Sequence, residues 1–259
     1  MSNLATALVI KAPGTNCDVE NSDALRRAGA SVEVATTGEL LASPEMILRK
    51  RILCLPGGFA HGDDVASARI LANQCRLRLG DTLQRFVDQE GGFVLGICNG
   101  FQALVKTGLL PRTAGGLRQE CSVVHNDSGH YECRWVRLRI ESSACAWLPQ
   151  GDVWEMPVGH GEGKFVPGPN FDAEASNLVA FRYVDADDSP TTDYPANPNG
   201  SLAAIAGLTS PDGRVIGLMP HPDRSYLPYH HPDWGRRELE GDEMAGAKLF
   251  RALVAAASG

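Results

Sequence analysis

A chain of 259 residues is long enough to bury one large α/β core or two small ones, and with 43% hydrophobic and 21% charged residues it is globular rather than disordered. A formal net charge of −7 argues against nucleic acid as a partner, because a phosphate backbone seeks basic patches. No stretch reaches the ~20 apolar residues of a membrane helix, and no secretory pattern opens the chain, so a cytoplasmic protein without a membrane partner is expected.

In chain order, Ala5 to Ala12 reads as a buried strand and Asn21 to Ala28 as a helix ending at Gly29. Val32 to Ala35 is a second strand. Arg51 to Leu55 is a third, stopped by Pro56-Gly57-Gly58. Between Ser67 and Gln89 the apolar residues Ile70, Leu71, Leu77, Leu83, Phe86 and Val87 keep a helical spacing, so one helix is predicted there. Gly91-Gly92 breaks it, and Phe93-Val94-Leu95 opens the next strand. Short strands separated by helical stretches predict right-handed crossovers and a mostly parallel sheet, with ligands at the carboxyl ends of the strands.

The middle of the chain has another period. From Arg134 to Ile140, Trp135, Arg137 and Arg139 alternate with Val136, Leu138 and Ile140, the pattern of a sheet with one wet face. Val153 to Val158, Val179 to Val184, Leu202 to Leu208 and Val215 to Met219 are further strands. Asp185 to Gly200, rich in Asp, Pro, Thr and Asn, is predicted to be an exposed loop. A helix from about Asp242 to Ala256 closes the chain. There is no internal repeat and no linker that calls for a second domain, so residues 1–259 are read as one domain.

Two segments carry chemistry. Gly96-Ile97-Cys98-Asn99-Gly100-Phe101-Gln102 places a cysteine between near glycines just after a buried run. Such a strand-to-helix turn presents a nucleophile at a helix N-terminus, where free N–H groups and the macrodipole favour a thiolate. Met219-Pro220-His221-Pro222-Asp223 follows another buried run. It supplies a general base, His221, and a carboxylate, Asp223, to orient it. Gly58 is positioned to offer a main-chain N–H to an oxyanion, and Asn99, after the nucleophile, a second. Each segment alone has a plainer reading: a buried structural cysteine at a turn, or a solvated surface His and Asp. Their combination points to acyl transfer.

Metal and phosphate sites are less well supported. The seven cysteines, Cys17, Cys54, Cys75, Cys98, Cys121, Cys133 and Cys145, contain no CxxC pair. His160 and Glu162 offer no third ligand by spacing, and His230-His231 with Asp233 is equally weak, so no metal is expected. Neither phosphate-loop spacing occurs, so ATP is not expected to bind through a P-loop. The basic clusters Arg49-Lys50-Arg51 and Arg236-Arg237 are short.

With these residues the chain resembles class I (triad) glutamine amidotransferases, and among them the glutaminase subunits of phosphoribosylformylglycinamidine synthase. The resemblance rests on Pro13-Gly14-Thr15-Asn16-Cys17-Asp18, Leu55-Pro56-Gly57-Gly58-Phe59, Gly96 to Gln102, His160-Gly161-Glu162-Gly163, Asn197-Pro198-Asn199-Gly200-Ser201 and Gly217-Leu218-Met219-Pro220-His221-Pro222. It implies a flavodoxin-like α/β fold in which Cys98 attacks L-glutamine, giving a γ-glutamyl thioester and ammonia. Gln102, Phe59 and His160 are implied to line the substrate site. Ammonia would pass to a separate large synthetase subunit, bridged by a small third protein. ATP and Mg belong to that partner, so no cofactor is expected in this chain.

Two departures stand out. The acidic triad residue, usually Glu in this family, is Asp223, and Ala60-His61-Gly62-Asp63-Asp64 replaces a more aromatic tract. The alternatives are a hydrolase of the same fold in another pathway and a catalytically silent scaffold. Gln102 with the Asn197–Ser201 and Gly217–Pro222 strings weighs against the first, and the retained Cys98 and His221 weigh against the second.

Overall fold

Apolar runs buried at every or nearly every position form the middle of the sheet: β1 (Thr6–Lys11), β3 (Ile52–Leu55), β4 (Phe93–Ile97) and β11 (Val215–Leu218). Parallel strands covered on both faces require such runs. β2 (Ser31–Thr36) lies at the edge and is largely exposed. The structure, a computed structural model, describes residues 4–141, 143–172, 175–240 and 244–259.

The large sheet has nine strands in the order β2-β1-β3-β4-β11-β10-β9-β6-β7, with β10 (Ile205–Thr209), β9 (Val179–Val184), β6 (Glu132–Ile140) and β7 (Val153–His160). From β2 to β11 every pairing is parallel; from β11 to β7 every pairing is antiparallel. The predicted parallel α/β sheet is therefore one half, the one from which Cys98 and His221 emerge, and the sheet as a whole is mixed. The alternation predicted for 134–140 is seen in β6, where Val136, Leu138 and Ile140 are buried between half-buried neighbours. β5 (Cys121–His125) and β8 (Glu162–Pro167) pair as a separate antiparallel ribbon.

Helices cover the sheet. α1 (Asp18–Arg27) packs against α6 (Ala245–Ser258), and α3 (Arg69–Arg78) against α5 (Asn99–Thr107); the short α2 (Thr37–Ala42) follows β2. Fully buried Phe86, Phe101, Phe165, Phe181 and Phe250 anchor the core, each burial being favourable by about 1.5–3 kcal/mol. No helix among the described residues is long and apolar enough to cross a membrane.

Elements that differ from the sequence reading include the predicted strand Leu202–Leu208, of which Leu202–Ala204 is a 3₁₀ turn ahead of β10. The single helix predicted over Ser67–Gln89 is two, α3 and α4 (Gly80–Asp88), parted at Leu79 (φ −112°). Both present buried faces (Leu71, Ala72 and Cys75, then Leu83, Phe86 and Val87), so the apolar spacing runs on through the break. The predicted loop Asp185–Gly200 is exposed over 186–190, but Asn197, Pro198 and Asn199 are buried. Asn197 replaces water with its own turn, accepting from the Gly200 and Ser201 N–H groups and donating to the Ser201 carbonyl. The last helix is described from Ala245, so its predicted start at Asp242 lies outside the described residues.

Candidate active site

β4 delivers Cys98 and α5 begins directly after it. The Cys98 N–H continues the ladder to the Leu218 carbonyl (2.8 Å), while its own carbonyl accepts from Gln102 N (3.0 Å) in the first turn of α5. Joining strand to helix in one residue forces Cys98 to φ 51°, ψ −105°. A non-glycine residue with positive φ is strained and needs surrounding structure to hold it there. The side chain is 5% exposed, and its thiol points to the Gly159 carbonyl at 3.6 Å.

β11 lies parallel to β4 with Leu218 opposite Ile97, so both chains leave the sheet side by side. Three residues past Leu218, the N–H of His221 donates to the Pro157 carbonyl on β7 (2.8 Å). A 3₁₀ turn, Pro222–Arg224, then folds Asp223 back so that its Oδ1 stands 3.1 Å from His221 Nδ1. His221 and Asp223 are 1% and 0% exposed. His221 Nε2 is buried and has no hydrogen-bond partner among the described residues. Burial works against an imidazolium here, but Asp223, with Cys98 and Cys17, outweighs it and holds the His221 pKa well above its ordinary value.

A second thiol shares this space, unforeseen in the sequence as part of the site. Cys17 Sγ, a ring nitrogen of His221 and a carboxylate oxygen of Asp223 all lie within 4.8 Å of one another. A thiol, an imidazole and a carboxylate make a donor set that zinc accepts. Here the sulfur already accepts from Arg224 (3.1 Å) and the ring is engaged by Asp223 (3.1 Å), which suits a hydrogen-bonded cluster. Burial pushes the Cys17 thiol up, against the pull of His221 and Arg224. Cys17 also precedes a helix, as the residue before α1, but only Cys98 joins a strand to a helix in a single residue. Gly57 stands where all three side chains meet. A methyl group there would lie 2.7 Å from His221 Cε1, 3.2 Å from Cys17 Sγ and 3.5 Å from Cys98 Cβ.

The proposed oxyanion donors come from facing segments. Gly58 has φ 141°, and an added Cβ would lie 2.8 Å from backbone atoms of Gly14 and Asn16. Thr15 and Gly58 form an antiparallel bridge flanked by Phe59 N→Gly14 O (2.9 Å) and Asn16 N→Gly57 O (3.4 Å). In such a pair the two opposed residues turn their own N–H groups away from the partner segment. Asn99 begins α5, where main-chain N–H groups lack intrahelical partners. Its side-chain oxygen accepts from Ala60 N (3.0 Å) and its amide donates to Asp63 and Gln102 (both 2.9 Å).

The three residues assigned to substrate are placed as follows. Phe59 is 45% exposed beside Gly58. Gln102 is buried, accepting from Asn99 and donating to the Glu162 carbonyl. Glu162 in turn accepts from Ser67 N and pairs with the buried Lys106 (3.7 Å), tying α5 to β8. His160 has both ring nitrogens engaged, with Asn126 Oδ1 (3.1 Å) and with Asn199 Nδ2 (3.5 Å). Burial, aided by the nearby charge of His221, lowers its pKa to about 4, so it is a neutral hydrogen-bonding group. Asn126 and Asn199, Lys106 and Tyr131, whose hydroxyl lies 2.8 Å from where a Gly159 Cβ would stand, complete the surroundings. Their partners are distant in sequence, so no spacing announced them.

Comparison with known proteins identifies the family. Residues 5–255 match the family model of the CobB/CobQ-like glutamine amidotransferase domain. A Dehalococcoides mccartyi protein, phosphoribosylformylglycinamidine synthase subunit PurQ, is 42% identical over 98% of both chains. A PurQ subunit from Thermus thermophilus is 35% identical over 84% of this chain and 88% of its own. Among solved structures, PurLQS from Thermotoga maritima contains a chain that superposes with a TM-score of 0.71 at 26% identity, covering 98% of this chain and 99% of that one.

Proposed function

This chain belongs to the glutamine amidotransferase family, and from that membership we propose how its residues divide the reaction. Its function is that of a glutaminase subunit of phosphoribosylformylglycinamidine synthase, in purine biosynthesis. Cys98, its proton passed to His221, attacks the side-chain carbonyl carbon of L-glutamine as a thiolate. The carbonyl oxygen becomes an oxyanion, which takes hydrogen bonds from the main-chain N–H groups of Gly58 and Asn99. His221, charged and held by Asp223, gives its proton to the departing nitrogen, and ammonia leaves a γ-glutamyl thioester on Cys98. Water, deprotonated by the now neutral His221, attacks the thioester. The adduct collapses, glutamate departs with its acid proton lost to solvent, and the Cys98 thiolate and the His221 imidazolium are restored.

The observation that carries this reading is the buried His221–Asp223 contact of 3.1 Å at the end of the strand paired with the one that carries Cys98. It also supports an aspartate in the role that relatives give to glutamate. Gln102 shapes the pocket through Asn99 and Glu162, and Phe59 lies at its open side. His160 supports the wall as a neutral group. The proposal extends to the assembly: a large ATP-dependent synthetase subunit consumes the ammonia, and a small subunit bridges the two, as the likeness to a PurLQS chain suggests. ATP and Mg act on that partner, and a reducing cytoplasm suits a catalytic thiol.

Glutamate release from glutamine, measured with and without the synthetase partner, tests the assignment. Cys98→Ala is expected to abolish it, and added ammonia to restore synthesis in the reconstituted complex. Normal glutamine-dependent synthesis by Cys98→Ala would remove Cys98 as the nucleophile.

A further inference from the structure

Four main-chain hydrogen bonds zip segment 13–17 onto segment 57–61: Asn16 N and Cys17 N to Gly57 O (3.4 and 3.3 Å), Phe59 N to Gly14 O (2.9 Å), and His61 N to Pro13 O (2.6 Å). This register decides where Gly58 aims its N–H. Along an extended segment successive N–H groups point to opposite sides. The N–H of Phe59 points to segment 13–17, and that of Ala60 points to Asn99 at the start of α5. The N–H of Gly58 therefore faces the α5 side, where Cys98 stands. Slipping the two segments by one residue would turn it away.

The far end of segment 13–17 is Cys17, fully buried. Its sulfur accepts from Arg224 NH2 at 3.1 Å, across 207 residues of sequence. Arg224 closes the turn that carries His221 and Asp223, and its NH1 lies 3.5 Å from where a Gly159 Cβ would stand, behind the carbonyl that receives the Cys98 thiol. One guanidinium thus touches the segment that sets the oxyanion strand, belongs to the triad turn, and covers the end of β7. We propose that the Cys17–Arg224 contact is a clasp that fixes the oxyanion strand in register with the triad, making both positioning residues for the glutaminase reaction. The role rests on the acyl-transfer reading above, but the clasp itself has a readout that does not.

Cys17→Ala, Arg224→Gln and the double variant test it. Amide hydrogen exchange over residues 57–61, read without glutamine, is expected to quicken about tenfold or more in each single variant, with β1 and β4 unchanged. In glutamate release, kcat is expected to fall about tenfold to a hundredfold, short of losing an oxyanion donor outright, while KM stays within about threefold. Alkylation of Cys98 by iodoacetamide, followed by mass spectrometry, needs the thiolate but no oxyanion hole, and is expected to hold within about twofold. The double variant should be no worse than either single one, since both break one contact. Unchanged exchange at 57–61 would overturn the clasp. Alkylation that falls in step with kcat would place the effect on the triad instead, and overturn the assignment to the oxyanion strand.

Discussion

Asp223 reaches His221 although its side chain is one methylene shorter than glutamate, because the 3₁₀ turn after Pro222 carries its backbone inward. Asp223→Asn keeps the shape but offers an amide where the ring needs a carboxylate. Glutaminase kcat is expected to fall by about 10²–10⁴ while the fold persists, measured by steady-state kinetics beside thermal unfolding. His160 makes a different prediction. With its pKa near 4 when folded and 6.5 when free, the unfolded chain binds a proton between those values that the folded chain refuses. Stability is therefore fully present above pH 6.5 and falls as pH drops toward 4, by at most about 3 kcal/mol. His221 has the opposite sign: its raised pKa stabilises at low pH, and that contribution fades as pH climbs through the folded value. His160→Gln is expected to flatten the slope of denaturant-measured stability between pH 4 and 6.5. At this scale Cys98, His221 and Asp223 were legible because each follows a buried run. Cys17 and Arg224 were not, because their meeting is made by the fold across 207 residues.

At the scale of elements, strands were easier to read than helices. β9 matches its predicted bounds, Val179–Val184, since a buried β-branched and aromatic run has few other uses. The α3–α4 break leaves little trace in the sequence because a core face on both sides preserves the apolar spacing, and only Gly80 marks the junction. The stretch 197–199 is buried against the expectation of an exposed loop, because composition cannot tell a solvated Asn from one with internal bonds, as with Asn197 and Asn199. The packing of α5 on β3 carries the sharpest test here. A Cβ on Gly100 would lie 1.8 Å from the Leu55 carbonyl oxygen, so backbone rather than a side-chain tip must yield. Gly100→Ala is expected to cost at least about 2 kcal/mol in denaturant unfolding and to disturb the Cys98 turn with it. A variant as stable as the parent would mean that helix and strand are less closely packed than described.

Over the whole molecule, the parallel half and the antiparallel half meet at β11, whose neighbours are β4 on one side and β10 on the other. Crossover connections and buried runs announce the parallel half in the sequence. The antiparallel half shows itself only through the alternation of β6, and nothing local says that it extends the same sheet. That extension matters to the site, because β7 at its far edge supplies Pro157 to His221 and Gly159 to Cys98. A change of partner or temperature that displaced β7 would therefore reach both Cys98 and His221 together.

The adjacency of β4 and β11 has one more consequence, for the covalent thread between them. More than a hundred residues separate Cys98 from His221, yet neighbouring ladder bonds hold them together, so the peptide between need not be unbroken. The exposed stretch 186–190 is where it can be cut. A chain nicked there is expected to remain one particle in native mass spectrometry and to keep releasing glutamate. The two pieces would then be a split enzyme, a reporter whose activity returns only when its halves are brought together.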